Sequence, residues 1–446
     1  MTDVPADASA PPSDPPGAST RGNFANTVSK LTAVNLVGLL GAFVTTTVTA
    51  RALGADGRGE LAAILAVLTA GPYVLDLGLT QWLGRERARG RHRAELLGAA
   101  LPVAFVVSLI SVVVAIPLSH AIGAGRPVVV AFVQIGLFSM PLSVLLFNLA
   151  GLAVGESRWN LYAAGRLVAS TMSVVVLVAL AVTGMLTVGS AAAAYLLSGL
   201  FGSLVLIRTV RGVRRLTFNL RSSAAATRFG ARAWLSQVGG IANSRLDQVL
   251  MAALVPSREL GLYAVAVTIA SVAQGLIQGV STALFPRVAE GDPDIAARAC
   301  RVTALIVSIT AIIVAVMTPS MIPFVFGQGF RAAVPMVLIL LVATVPLAAT
   351  IVLASALVAV NEPAATMRAE LAGLAITIPA LIVFLPSSGG LAAATVSVVA
   401  YSIRFAIQLA AARRAFSRPA LSFLLLERAD LAWLLSQARR VAPRDK

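Results

Sequence analysis

The sequence predicts an all-α polytopic membrane protein with about 12 transmembrane helices. These form two six-helix lobes related by a pseudo-two-fold axis along the membrane normal. Three observations carry this expectation. Of 446 residues, 58% are hydrophobic and 12% charged, with a mean hydropathy of +0.88, whereas soluble chains run about 45–50% apolar and about 25% charged. The apolar residues fall in runs of span length, and the basic residues gather in alternate connections between them. Twelve spans of about 20 residues need roughly 240 apolar positions, close to what this composition supplies.

Taken in order, residues 1–24 read as a disordered cytoplasmic tail, because 1–22 are rich in Pro, Asp, Ser and Ala without the apolar run of a signal peptide. Apolar runs bounded by Gly, Pro or Arg follow at 31–53, 60–83, 96–118, 127–154, 159–184, 188–208, 232–254, 260–285, 302–326, 334–360, 366–385 and 390–412. An Arg-rich segment, 212–231, reads as a cytoplasmic linker between lobes at 25–211 and 232–416. Residues 417–446 mix Leu421, Leu424, Leu425, Leu431 and Trp433 with Arg428, Arg439 and Arg440, a composition suited to an amphipathic helix on the inner leaflet.

Orientation follows from sorting the bases. One set of alternate loops and both termini hold 28 Lys and Arg; the other holds five, Arg51, Arg58, Arg126, Arg258 and Arg331. The positive-inside rule then puts both termini in the cytoplasm. The same bias accounts for most of the net charge of +16 and removes nucleic acid as the expected partner. Trp82, Trp159 and Trp234 fall at cytoplasmic span ends, as interfacial anchors do.

The chain also reads as duplicated. A slide of about 202 residues lays Gly59-Glu60-Leu61-Ala62 on Gly261-Leu262-Tyr263-Ala264, and Arg85 on Arg287; four more lay Gly155-Glu156 on Asn361-Glu362. Six spans per half is an even number, so the repeats are parallel.

Catalysis is not expected. His92 and His120 fall on opposite membrane faces, and no phosphate loop, metalloprotease motif or serine elbow appears. No metal site is expected either: Asp292-Pro293-Asp294 reads as a turn into a helix N-terminus. The lone Cys300 cannot form an intramolecular disulfide.

Ionisable groups within spans are functional candidates because they are costly in hydrocarbon. The seventh span places Ser236, Gly240, Asn243 and Asp247 on one helical face. Arg245, two residues away, is expected to pair with another span or to line the cavity from a neighbouring angle. Arg404 lies toward the cytoplasmic end of the last span, and Gln274 and Gln278 share a face of the eighth. In the second span, Gly71-Pro72 suggests a kink, with Asp76 just beyond as a gating candidate or as a partner for Arg85 or Arg87.

RALGADGRGELAAILAVLTAGPYVLDLGLTQWLGRERAR resembles the opening signature of polysaccharide and lipid-linked oligosaccharide exporters in the multidrug/oligosaccharidyl-lipid/polysaccharide (MOP) flippase superfamily. NSRLDQVLMAALVPSRELGLYAVAVTIASVAQGLIQGVSTALFPRVAE resembles the second-half signature: an Asp in the seventh span, Gly-x-Tyr opening the eighth and Phe-Pro-Arg closing it. The similarity covers about 25–415. It implies a V of two lobes around a central cavity, and alternating access that carries an undecaprenyl-pyrophosphate-linked glycan across the bacterial cytoplasmic membrane. It implies no cofactor, with movement driven by membrane potential or a cation gradient. The implied partners are the lipid-linked saccharide, membrane lipids, and a polysaccharide polymerase or glycosyltransferases. Cavity cations would meet the pyrophosphate, here Arg245, Arg51 and Arg404, fewer than in lipid II flippases. Two alternatives stay open: a cation-coupled multidrug exporter using Asp76 or Asp247, and a membrane scaffold of a polysaccharide assembly complex.

The base distribution makes a direct prediction. Single cysteines at Ala88 and Ser222 should resist a membrane-impermeant thiol reagent in intact cells, while one at Gly125 should react; labelling at 222 from outside would overturn the orientation.

Overall fold

The computed structural model describes residues 18–123, 125–211, 213, 216–275, 293–427 and 430. Of the sequence expectations, Gln278, the motif Phe285-Pro286-Arg287 and the tail residues 1–17 and 431–446 lie outside these. Regular structure among the described residues is helical throughout: α1 Ala18–Leu75, α2 Leu79–Ala88, α3 Arg93–Gly123, α4 Pro127–Gly155, α5 Trp159–Val182, α6 Val188–Leu204, α7 Leu220–Leu254, α8 Ser257–Gly275, α9 Pro293–Val325, α10 Val334–Ala359 and α11 Pro363–Ala415.

Among the described residues, eight helices are long and apolar enough to cross a membrane. Two of these are folded double, α1 at Gly54 (φ 69°) and α11 at Gly389 (φ 51°), so that each supplies two spans. With α7 and α8, this is the twelve-span pattern the apolar runs predict. The face carrying the Arg-rich loops is called the basic face below.

The duplication is visible where each helix stops. Left-handed residues break the chain at Gly125 and Gly327, 202 positions apart, at Ser157 and Asn361, 204 apart, and at Gly184 and Gly389, 205 apart. After the fourth span, Arg158 N–H donates to the Ala153 carbonyl (2.9 Å); after the tenth, Glu362 N–H donates to Leu357 (2.8 Å). Both are the reaching-back bonds that close a helix over a left-handed residue. The structural match therefore pairs Ser157 with Asn361, two residues from the alignment that the sequence suggests.

Three local expectations are corrected. The second run, 60–83, is not one helix: Leu77 (φ 45°) and Gly78 (φ 72°) end α1 at Leu75 and begin α2. The expected linker is partly helical, since α7 starts at Leu220, capped by Asn219, whose Oδ1 accepts from the backbone of Arg221 (2.9 Å) and Ser222 (3.3 Å). Its first turns pack on the first lobe, where Ser223 Oγ donates to Ala99 O (2.9 Å). Trp82 is 3% exposed rather than interfacial, and Trp234 donates to the Val74 carbonyl at 2.7 Å.

The lobes meet through backbone. At the face opposite the basic one, α1 crosses α8 so closely that a Cβ on Gly59 would stand 1.7 Å from the Ser257 carbonyl oxygen, and one on Gly261 2.0 Å from that of Ala55. Only glycine permits this approach. Arg126 braces the same end, donating to Ser257 Oγ (2.7 Å) and Ala252 O (2.5 Å).

On the basic face, ion pairs hold the loops. Glu156 receives Arg87 (2.9 Å), Arg93 and Arg158 (3.6 Å). Burial alone would raise its carboxyl, but the bonds from Arg93 and Arg87 hold it below the usual range. The start of the C-terminal tail is docked in the second lobe: Phe423 is buried with its ring 6.3 Å from that of Phe416, and the fully buried Asp430 receives Arg301 (2.6 Å) and Arg298 (3.3 Å). For Asp430, too, burial is outweighed by the Arg301 bonds, and its carboxyl is held low.

Both acids have depressed native values, so their stabilisation is present above about pH 4 and is lost as pH falls through those values. The melting temperature in detergent should therefore drop on acidification. It should be lower by several degrees in Asp430→Ala at neutral pH, and the acid-dependent drop should shrink in Asp430→Asn.

Candidate functional site

A cavity of about 700 Å³ lies between the lobes, walled by both arms of α1, by α5 and α6, and by α7, α8, α10 and the second arm of α11. A lone polar side chain facing lipid would be penalised, and the cavity is where these spans turn theirs. Thr46 and Thr268 approach across it from opposite lobes, with hydroxyls 3.4 Å apart.

Arg58 supplies a cation that loop counting hides. It sits between Gly57 and Gly59 at the crossing with α8, where the close approach of the backbones turns its side chain inward. It lines the cavity, is 6% exposed, and its Nε and Nη1 are buried without a hydrogen-bond partner. The sequence reading left it in the loop opposite the basic face. The glycines on either side were the available signal.

Arg245 lines the same cavity from α7 and makes no hydrogen bond or ion pair among the described residues. The structure places it two residues from Asp247, in the lining of the same cavity. Asp247 is buried on that stripe, its carboxylate accepting from the Tyr263 hydroxyl and from the Gln248 N–H (2.7 Å). Asn243 lines the cavity, but its amide nitrogen is spent on Gly239 O (3.0 Å), Glu370 O (3.1 Å) and Glu370 Oε2 (2.6 Å).

Arg404 departs from expectation. It reaches the cavity wall but is 6% exposed and is paired with Glu370, a buried acid that the sequence reading overlooked. Gly373 makes room for it: a Cβ there would stand 2.7 Å from Arg404 Cδ. Asn243, Glu370 and Arg404 thus tie the seventh, eleventh and twelfth spans together, and Arg404 is a structural partner before it is a ligand. Arg51 is outside the cavity. It is exposed and donates to the carbonyls of Val325 (2.7 Å) and Phe324, the orphan acceptors at the end of α9.

The gating candidates also resolve differently. Asp76 is fully buried away from the cavity. It accepts from Thr80 N–H (3.1 Å) and Thr80 Oγ1 (2.7 Å), capping α2 where the chain restarts after Leu77 and Gly78. It pairs with neither Arg85 nor Arg87; Arg87 goes to Glu156. Pro72 lies within α1 without a break, and Gly71 is packed under Met140. Gln274 lies in α8, with a side chain outside the described residues. Asp294 stands in the first turn of α9 and pairs with Arg418. Among the described residues no cluster of His, Cys, Asp and Glu could hold a metal ion. His92 and His120 stand at opposite ends of the 31-residue α3, about 45 Å long at 1.5 Å per residue.

The family model "Polysaccharide biosynthesis protein" matches residues 24–291. Among curated proteins no sequence matches. Solved structures share the fold. One is the lipid II flippase MurJ in an inward closed conformation, with a TM-score of 0.73 at 11% identity over 95% of this chain and 94% of that one. A multidrug resistance MATE family transporter of the MOP superfamily, inward-facing, gives 0.65 at 14% identity over 86% and 98%. A MOP superfamily transporter from Pyrococcus furiosus gives 0.57 at 14% over 88% and 95%. At these identities the likeness is one of fold alone.

The Glu370–Arg404 tie can be separated from ligand binding. Removing one member leaves a buried uncompensated charge, which costs about 3–5 kcal/mol, whereas an apolar pair of similar volume is near neutral. Glu370→Ala and Arg404→Ala should each lower the melting temperature sharply, and the double variant Glu370→Leu/Arg404→Met should regain most of it. A double variant no more stable than the singles would reassign the pair.

Proposed function

The chain belongs to the polysaccharide biosynthesis protein family, and from that premise we propose that it is a flippase for a lipid-linked saccharide carried on a pyrophosphate, moving it across the membrane by alternating access with no bond made or broken. The observation that carries this reading is the pair of unanswered guanidinium groups. A buried cation without an acid costs several kcal/mol, and Arg58 keeps two donors unpartnered in the same cavity where Arg245 stands free. An anion between the lobes answers both. A guanidinium can grip phosphate oxygens bidentately, where an ammonium meets them as a point charge. The threonine, serine and tyrosine side chains around the cavity would replace water about a sugar headgroup while the lipid tail stays in hydrocarbon.

The cation-coupled drug exporter has less support. Two free guanidiniums repel a cationic drug, and the carboxylate of Asp247 is already engaged by Tyr263 and Gln248. A scaffold role would need neither cation. The distribution of bases supports a bacterial cytoplasmic membrane location with the basic face and both termini inside. Polymerases and glycosyltransferases are reasonable neighbours, and the inside-negative potential or a cation gradient is a reasonable drive for the export of a polyanion.

The test is export of the native glycan at matched expression. Arg58→Ala and Arg245→Ala should each reduce it at least tenfold, the corresponding Lys variants should keep part of it, and Asp247→Asn should stay active. Full export in both Ala variants with loss in Asp247→Asn would move the assignment to cation-coupled efflux. Harmlessness of all three would favour the scaffold.

A further inference from the structure

The walls of the inter-lobe cavity repeat with the chain. Lining residues of the first two spans recur 202 positions on in the seventh and eighth, Gly38 with Gly240, Thr45 with Asp247 and Thr69 with Ser271. Parallel repeats about an axis along the membrane normal set such partners at one depth on opposite sides of that axis. Gly38 and Gly240 are therefore a facing pair. Neither has an atom within 4 Å of where a Cβ would stand, unlike Gly59 and Gly261, whose bareness the helix crossing requires. Both lie within helices, where glycine costs roughly 1 kcal/mol relative to alanine. What the chain gains at both positions is width in the cavity.

The free cations do not repeat. The position matching Arg58 is the buried Leu260, and the one matching Arg245 is Phe43, whose ring packs on that of Phe326 at 5.7 Å. The anion site is thus one-sided within a symmetric frame, and depth separates it from the glycines. Measured from the face opposite the basic one, at about 1.5 Å per residue, Arg58 lies about 6 Å below the turn at Gly54 and Arg245 about 14 Å below the end of α7 at Leu254. Gly38 and Gly240 lie about 24 Å and about 21 Å below the same two points. Ser170 of α5 stands near that level. Its Oγ is 2.6 Å from where a Cβ on Gly41, one turn from Gly38, would be, and it lines the cavity with Ser173. A pyrophosphate held by Arg58 and Arg245 leaves the rest of its headgroup only the part of the cavity that runs toward the basic face. That part passes between the two glycines and beside these hydroxyls, which donate and accept as sugar hydroxyls do.

We propose that Gly38 and Gly240 bound the saccharide subsite and set the girth of the glycan that the cavity admits. The small residues do not stand alone: Arg58, in the same cavity, is 6% exposed with two unpartnered nitrogens. A pocket rejects an oversized ligand by steric clash, so a larger side chain at either glycine narrows the range of glycans without touching the anion site. The proposal rests on the anionic-headgroup reading above and adds to it a limit on the sugar.

The experiment uses the full-length protein in detergent and three probes: inorganic pyrophosphate, a polyprenyl diphosphate bearing one hexose, and the same lipid bearing a branched trisaccharide. Gly38→Leu and Gly240→Leu should each weaken binding of the trisaccharide lipid by about tenfold or more, the equivalent of about 1.4 kcal/mol. Both should leave pyrophosphate and the single-hexose lipid unchanged. Gly239→Ala stiffens the same helix as Gly240→Leu, but its methyl would stand 3.4 Å from Glu370 Cβ, an ordinary contact, and it should change none of the three. Wild-type affinity of both Leu variants for the trisaccharide lipid, or an equal loss for pyrophosphate, would overturn the subsite while leaving the cations in place. An effect of Gly239→Ala equal to that of Gly240→Leu would assign the glycines to bending rather than width and overturn it too. A wild type that binds pyrophosphate but neither lipid would also overturn the subsite, and one that binds none of the three would overturn the headgroup reading itself. Should either Leu variant fail to fold, Gly38→Ala and Gly240→Ala, whose methyls enter open space, carry the same ordering of probes.

Discussion

A guanidinium held inside a hydrocarbon-thick layer without an acid to answer it is the constraint around which this molecule is arranged. Where the fold needs a buried cation for its own cohesion it supplies the acid, as Glu370 does for Arg404 and Asp430 for Arg301. Arg58 and Arg245 are treated otherwise: both reach the same cavity, and neither is neutralised by a described residue. The contrast within one chain distinguishes a stabilising charge from one kept available: Arg58 is buried without an acid, and Arg245 is exposed to the cavity without one.

Keeping such charges requires walls, and the walls are closed by glycine. Gly59 and Gly261 let α1 and α8 touch backbone to backbone, and Gly78 and Gly230 do the same where α7 meets the first lobe. α7 consequently belongs to both lobes. Its first turns pack on α3 through Ser223, and its later turns hold α11 through Asn243. Between them lie Gly239 and Gly240, which weaken the helix by roughly 1 kcal/mol each relative to alanine, so the segment that bridges the lobes is also the one least resistant to bending.

Much of the architecture was legible because span-length apolar runs have few other fates in a chain of this composition. The duplication was legible in outline, and the left-handed residues that end corresponding helices sharpen it. What escaped the sequence were interactions that depend on direction. Nothing in Tyr73-Val74-Leu75-Asp76-Leu77 announces that a leucine will take a positive φ and turn Asp76 into a cap. Arg51 and Arg58 lie seven residues apart near one membrane face, yet one folds back on α9 and the other enters the cavity. That outcome is decided by Gly54, Gly57 and Gly59 together rather than by hydropathy. Glu370 reads as an interfacial acid near a span end until Arg404, 34 residues away, is seen beside it.

In the proposed alternating-access cycle the crossing of α1 and α8 would act as a fulcrum. It lies near one face of a hydrocarbon layer about 30 Å thick, so rocking the lobes by on the order of 10° would displace the opposite face by roughly 5 Å. Arg58 is adjacent to the pivot and would scarcely travel, whereas Arg245, deeper along α7, has a longer arm. Under the proposed function the grip at the pivot would then persist through the stroke while the second hand opens and closes, so that the ligand would be held at every stage by at least one fixed charge.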